Sequence, residues 1–541
     1  DIAQELYNQV LKVDPNHLGA LNNLGVLFKK LNQIQKAKDC YEKVIQIDPN
    51  NIDTHYNLGN ALKELKDFQK AKDCYEKVIK INPSHENAHY NLGVVFKELG
   101  DLRKALSYYE KVIKINPSHE NAYYNLGAIF VDLKEYQKAK DCYEKAIEIN
   151  PSHENAYYNL GAIFVDLKEY QKAKDCYEKA IEINPNLAQA YNNIGLILSL
   201  EGKIKKAENF YEKAIKINPT YADAHNNLAK GFKELGEYTK AKDYFEKTIE
   251  IDPNHLSAYS NLANLFYLIG EFQNAKECFE KAIQIKPGNV HTSNGLLKSI
   301  YKIDDKSNLF KELDSIIKEG KINAVIGSIF SRAEVKYGVK KENPFCNDPL
   351  HYVLKKDLTK KYDFKNVIAD CMHNILKNDS ISNKTQELIT NGYQTAGNLF
   401  ANQDFDTHEV QKIIRIEVEK YRLHFEGSKE GFMRNWPTKY SLIGWLINMK
   451  KGGKLFPHMH DLGWLSGSIY INIPKKLEDD DGNLVVCVDD DENKRDKSHN
   501  KKSIDVVTGS LCLFPSSLLH YTVPFEAEEN RIVLAFDVTP S

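Results

Sequence analysis

Two periods divide this chain. Prolines stand at 15, 49, 83, 117, 151, 185, 219, 253 and 287, and each interval repeats one order of apolar and small residues. Asn57-Leu58-Gly59, Leu65, Ala71, Tyr75, Val78, Ile79 and Pro83 set that order. The apolar positions step by three and four, the spacing of a helix face. Each interval therefore predicts two helices, with Gly59 and Ala71 where the backbones approach, Tyr75 and Leu65 in the groove, and proline ending the second helix. Residues 16–287 give eight such units, and residues 1–15 read as the second helix of a partial one. Residues 118–151 and 152–185 are identical, the mark of a recent tandem duplication. The register slips by one at Asn294-Gly295-Leu296, so residues 288–340 are expected to be a helical cap and connector.

A new domain is expected at 341–541, after a loop marked by Pro344, Cys346, Asn347 and Pro349. Residues 362–425 read as helix, broken at Gly392-Tyr393-Gln394-Thr395 and resumed over Val410–Tyr421. From about 438 the period becomes two. Short runs at 441–449, 463–474, 484–488, 504–507, 510–514 and 531–538 read as strands of a sandwich or jelly roll. The fold class is thus multidomain: an all-α repeat array followed by an α+β domain built on a jelly roll.

The first half resembles the tetratricopeptide repeat, whose period and punctuation it carries. The resemblance implies a superhelix whose groove takes an extended peptide or another protein. One asparagine recurs in register, at Asn23, Asn57, Asn91, Asn125, Asn159, Asn193, Asn227 and Asn261. A carboxamide donates and accepts, so this row is a candidate grip on a peptide backbone. It is similar to the arm of the protein O-GlcNAc transferases. The same position also serves to bond neighbouring helices, and that reading is taken first. The recurrent Lys-Ala-Lys-Asp on the second helices reads as a solvated outer face.

Charge narrows the partners. Lysine plus arginine (73) nearly balances aspartate plus glutamate (75), which argues against nucleic acid or an anionic membrane. No apolar run approaches a bilayer span. Nine cysteines form no Cys-x-x-Cys pair, so a reducing, cytoplasmic setting is expected. Five of them (Cys40, Cys74, Cys142, Cys176, Cys278) recur in the repeat and read as small core residues.

The chemistry gathers near the C-terminus. Phe456-Pro457-His458-Met459-His460-Asp461 precedes Gly463-Trp464-Leu465-Ser466-Gly467, and His520 and Arg531 follow. On a strand His458 and His460 would share one face and Asp461 the other. Ser466, Ser468, Tyr470 and Asn472 alternate with apolar residues, giving one polar face. Histidines and an arginine at these separations point to a metal site beside an anion clamp, because a guanidinium fork matches a carboxylate.

These blocks resemble the iron(II)/2-oxoglutarate oxygenases of the double-stranded β-helix fold, in particular the group whose catalytic domain follows tetratricopeptide arms. The resemblance implies His458 and His520 as iron ligands and Arg531 as the partner of the far 2-oxoglutarate carboxylate. It makes Ser466, Ser468 and Tyr470 candidates for co-substrate contacts and Trp464 a candidate pocket wall. It also implies ascorbate as an accessory reductant, and hydroxylation coupled to conversion of 2-oxoglutarate into succinate and CO2. Many relatives carry His-x-Asp; here His460 occupies the acid's place and Asp461 lies one residue beyond. The aspartyl/asparaginyl β-hydroxylases use two histidines and no acid. The third ligand is thus His460, Asp461 or water. Two rival readings are an adaptor with an inactive jelly roll and a three-histidine zinc hydrolase. The acidic runs within 478–502 lack calcium-loop spacing and read as solvated hairpin loops.

Overall fold

The computed structural model describes residues 2–378, 383–384, 388–402, 405–489 and 500–541. Residues 490–499 of the acidic hairpin segment thus lie outside the described residues. The chain divides into two compact units, Asp1–Leu235 and Gly236–Ser541.

The first unit is helical throughout, built from pairs such as Ile52–Glu64 with Phe68–Ile81 and Glu86–Glu98 with Leu102–Ile115. A close contact inside each pair explains the small residue after Asn-Leu. A Cβ added to Gly93 would lie 2.6 Å from the Tyr109 ring, and one on Gly59 2.7 Å from that of Tyr75. Glycine lets the tyrosine ring lie flat on the opposing backbone. Tyr75, Tyr109, Tyr143 and Tyr177 are at most 1% exposed, a burial worth roughly 1.5–3 kcal/mol for a side chain of this size. Histidines start several first helices. Nδ1 of His85 and of His119 accepts the amide of Ala88 and Ala122 at 3.1 Å, satisfying one of the open donors of the first turn.

Two expectations about the repeat are corrected. Leu65 is 41% exposed, because it lies past the last helical turn, beyond the cover of the second helix; Leu62, one turn back, is buried in its place. Of the five repeat cysteines only Cys40 is buried, and the others are half-buried.

The second unit opens with further helices, from Tyr238–Ile251 to Ala324–Tyr337, and continues into an antiparallel sheet domain. Its strands are β1 (Leu354–Asp357), β2 (Asn383–Lys384), β3 (Ile389–Thr395), β4 (Tyr440–His458), β5 (Leu465–Asn472), β6 (Leu484–Cys487), β7 (Lys501–Ile504), β8 (Ser510–Pro515), β9 (Leu519–Thr522) and β10 (Arg531–Pro540). They run in the order β1-β8-β5-β10-β4-β9-β6-β7, with β3 also on β4. The result is barrel-like and consistent with a jelly roll. β4 makes the corner. Its first half pairs with β10 and its end with β9, His458 lying opposite His520. Gly452 takes φ +70° at the bend, a value that costs glycine little.

Alternation along β10 sorts the two sides of the sheet. Ile532, Leu534, Phe536 and Val538 join the core formed with the helices Asp370–Leu376 and His408–His424. Val533 and Ala535 face the other way, into the barrel, and Arg531 and Asp537 share their side. Three local expectations shift. Gly392–Thr395 belongs to β3 rather than to a break in helix, β7 lies three residues earlier than expected, and β9 is a strand outside the expected runs. No described helix is long and apolar enough to cross a membrane.

Candidate functional site

The β4–β9 pairing brings together residues 62 positions apart. His458 and His520 face each other with ring centroids 4.2 Å apart, and His460 crosses the His520 ring at 4.8 Å and 90°. One ligand nitrogen from each imidazole lies within 4.8 Å of the others, which makes the three a group able to hold a metal ion. The Nε2 atoms of His458 and His460 are 3.3 Å apart.

Two of the three rings are held from behind. His458 Nδ1 donates to the Phe456 carbonyl at 2.9 Å, leaving Nε2 as a lone pair. His460 Nδ1 meets Asp537 Oδ1 at 2.7 Å, and the edge of Trp445 lies against the same ring. Burial, then the neighbouring His460, pushes the His458 pKa down to about 4. Burial, with His458 and His460 beside it, holds His520 well below the ordinary imidazole value. Neutral imidazole is the form that binds a metal.

Asp461 is not in this group. Its carboxylate pairs with Lys298 of the helix Val290–Ile303. The acid that does reach a histidine is Asp537, which sequence reasoning missed. Its one signal was a lone carboxylate in the otherwise apolar run Ile532–Val538.

From the histidines a polar line runs along the inner side of β5. Ser466 donates to Asp537 at 2.8 Å and touches the Ser516 hydroxyl at 2.8 Å. It therefore sits behind His460. Ser468 and Arg531 lie beside Tyr470, and the Arg531 guanidinium carbon is 5.2 Å from the phenol ring. Arg531 is 2% exposed, its Nε has no partner, and among the described residues no carboxylate pairs with it. Trp464 points away from this line. Its indole donates to the Phe432 carbonyl at 3.0 Å and packs edge-on to Phe345, so it belongs to the helix-side core rather than to a pocket wall.

Five members of the asparagine row lie in helix–helix seams. Asn125 donates to the Tyr90 hydroxyl at 2.9 Å, Asn159 to that of Tyr124 at 3.2 Å and Asn193 to that of Tyr158 at 3.3 Å. Asn91 reaches Tyr56 in the same way and also accepts from Lys63, while Asn227 donates to Asn192. Asn23 is exposed, and Asn57 and Asn261 are half-buried.

Three family models match parts of the chain. Residues 444–537 match the family described as "Putative 2OG-Fe(II) oxygenase", a span holding the histidines, the polar line, Arg531 and Asp537. Residues 19–51 and 52–85 match the tetratricopeptide repeat, and residues 78–294 match the "Cilia and flagella-associated protein 70 C-terminal domain". Among solved structures the chain is similar to MamA, at 30% identity over 31% of this chain and 97% of that one, with a TM-score of 0.29. It is similar to YrrB, described as a TPR protein with an unusual peptide-binding site, at 28% identity over 34% and 95%, with a TM-score of 0.30. A third is pilF of Pseudomonas aeruginosa, at 20% identity over 38% and 94%, with a TM-score of 0.35. No curated protein matches the chain. The chain carries tetratricopeptide repeats followed by a C-terminal domain that matches the "Putative 2OG-Fe(II) oxygenase" family.

Proposed function

We propose that residues 341–541 form an iron(II)- and 2-oxoglutarate-dependent dioxygenase, that residues 1–287 form a repeat array recruiting a protein or peptide substrate, and that residues 288–340 connect them. The observation that carries this reading is Arg531, a buried cation with a phenol beside it and, among the described residues, no carboxylate paired with it. An uncompensated buried charge costs several kcal/mol, about 3–5 when a pair is broken. A ligand carboxylate removes that cost, and the far end of 2-oxoglutarate is such a carboxylate. A zinc hydrolase has no use for this clamp, and an inert jelly roll has no reason to keep it.

His458, His460 and His520 would hold the iron, and Arg531, Tyr470 and Ser468 the co-substrate. Together the two groups supply oxygen activation, with 2-oxoglutarate becoming succinate and CO2 as a substrate C–H bond is hydroxylated. The chain's own part is orientation. Phe456 and Asp537 fix which nitrogens of His458 and His460 face inward. Tyr470 holds the guanidinium, and the apolar inner residues Val533 and Ala535 keep water from the space between.

Stacked repeats are generally protein-interaction modules, which supports a protein or peptide as the partner. We assign the asparagine row first to stitching neighbouring repeats, since four of its members spend their N–H groups on tyrosine hydroxyls. A reducing compartment suits nine free cysteines and ferrous iron, and we infer a cytoplasmic location.

The test is purified protein with iron(II), ascorbate, 2-oxoglutarate and candidate peptides, with succinate followed by mass spectrometry. Succinate is expected from the wild type and only background from His458→Ala and His520→Ala. Equal signals from all three sink the oxygenase reading.

A further inference from the structure

His460 stands where many oxygenases carry an acidic ligand, and the carboxylate it touches comes from residue 537, at the far end of the domain. We propose that Asp537 is a positioning residue that makes His460 a metal ligand, holding the proton on Nδ1, aiming Nε2 into the cluster and supplying through the imidazole the negative charge that a His-x-Asp site supplies directly. The inference rests on the metal-site reading above.

The surroundings of Asp537 fit this role. It is 7% exposed, set between Phe536 and Val538 on its strand, and no lysine or arginine pairs with it among the described residues. A buried carboxylate without a cation is costly. Here it is met by the His460 N–H at 2.7 Å and the Ser466 hydroxyl at 2.8 Å. Because Ser466 gives its one proton to Asp537, Ser516 must be the donor in the Ser466–Ser516 bond at 2.8 Å. The carboxylate therefore accepts from a relay of two hydroxyls and an imidazole. A divalent ion on the far side of His460 would complete its charge balance.

The backbone is shaped to allow this. A Cβ on Gly463 would lie 2.5 Å from Ser516 Oγ and 3.1 Å from Asp537 Oδ1, so the loop after His460 carries no side chain where it crosses the relay. Ser466 and Asp537 are opposed in the β5–β10 register, which places hydroxyl and carboxylate side by side. Asp461 is not available for the same duty, since its carboxylate is held by Lys298. Outer-shell carboxylates of this type fix the tautomer and ring plane of a ligating histidine and raise its basicity.

The experiment is titration of the metal-free full-length chain with cobalt(II), followed by calorimetry and by the cobalt absorption spectrum. It uses the wild type, Asp537→Asn and Asp461→Asn, with circular dichroism as the folding control. Asp537→Asn is expected to lose about ten- to a hundred-fold in cobalt affinity and to change the spectrum. Nitrogen NMR of the metal-free wild type is expected to find the His460 proton on Nδ1. Unchanged affinity and spectrum in Asp537→Asn overturns the inference while leaving the metal site standing, as does an equal loss in Asp461→Asn. Should Asp537→Asn not fold, a wild-type His460 protonated on Nε2 overturns it. A wild type that takes up no cobalt overturns the metal reading together with this inference.

Discussion

In the repeats of the first unit the bonds that matter are short in sequence and made again and again. Asn125 reaches the tyrosine 35 residues before it, and Asn159 and Asn193 repeat the bond one unit later each. In the sheet domain the bonds that tie the strands of the site together are made once and join distant residues, with His460 to Asp537 spanning 77 positions and Ser466 to Ser516 spanning 50. Redundancy makes the first region tolerant, as its two identical units attest. Singular contacts make the second region a candidate site, where one side chain would decide whether a metal or an anion is held. Interiors also differ in what they leave unmet. Among the described residues Arg531 keeps an unpartnered Nε and no carboxylate partner.

The largest effect should come from that residue. Arg531→Met is expected to raise the KM for 2-oxoglutarate at least about a hundred-fold, the scale of losing one member of a buried charge pair, with cobalt affinity little changed. Steady-state succinate production and the cobalt titration read the two separately. A parallel loss in both would mean that Arg531 holds the fold rather than the co-substrate.

A crowded repeat should fail differently. Gly93→Val drives a branched side chain into the Tyr109 ring, which a Cβ alone would approach to 2.6 Å. The expected cost is about 3 kcal/mol in the first unit, read by denaturant unfolding. Succinate formation without any protein substrate should hold, because the oxygenase domain lies in the other unit. Loss of that basal turnover would break the contrast between the two regions.

The smallest effect concerns acid stability. Glu417 is buried, which by itself would raise its pKa, but hydrogen bonds from Tyr362 and Lys356 and the nearby lysine charges hold it below the ordinary value. A carboxyl depressed in the folded state contributes stability that is present above its unfolded pKa and lost as pH falls through the folded one. Glu417→Gln is therefore expected to cost about 1–2 kcal/mol near neutrality and to flatten the loss of stability below about pH 4.5, the model-peptide range of a glutamate. Melting temperatures across pH check it. An unchanged acid limb would assign the acid sensitivity to other carboxylates.

Much of this was legible before any coordinates. The 34-residue period, the small residues where helices approach and the strand alternation are local or periodic, and local patterns are carried by sequence alone. Leu65 was misplaced because its spacing fits the apolar face while the helix ends just before it. The region around Gly392 read as interrupted helix because nothing local reveals that it pairs with β4.

The site divides in the same way. The sequence alone determined which residue types were on offer: two histidines one residue apart, a third downstream, an arginine after it and a polar face on one strand. Only the tertiary structure decided their duties. Strand pairing set His458 against His520, delivered Asp537 rather than Asp461 to the histidines, put Ser466 behind His460 and turned Trp464 into core. The reason is physical. An imidazole's tautomer, a carboxylate's partner and a guanidinium's isolation depend on which strands meet, and strand pairing between residues tens of positions apart is a property of the whole folded sheet.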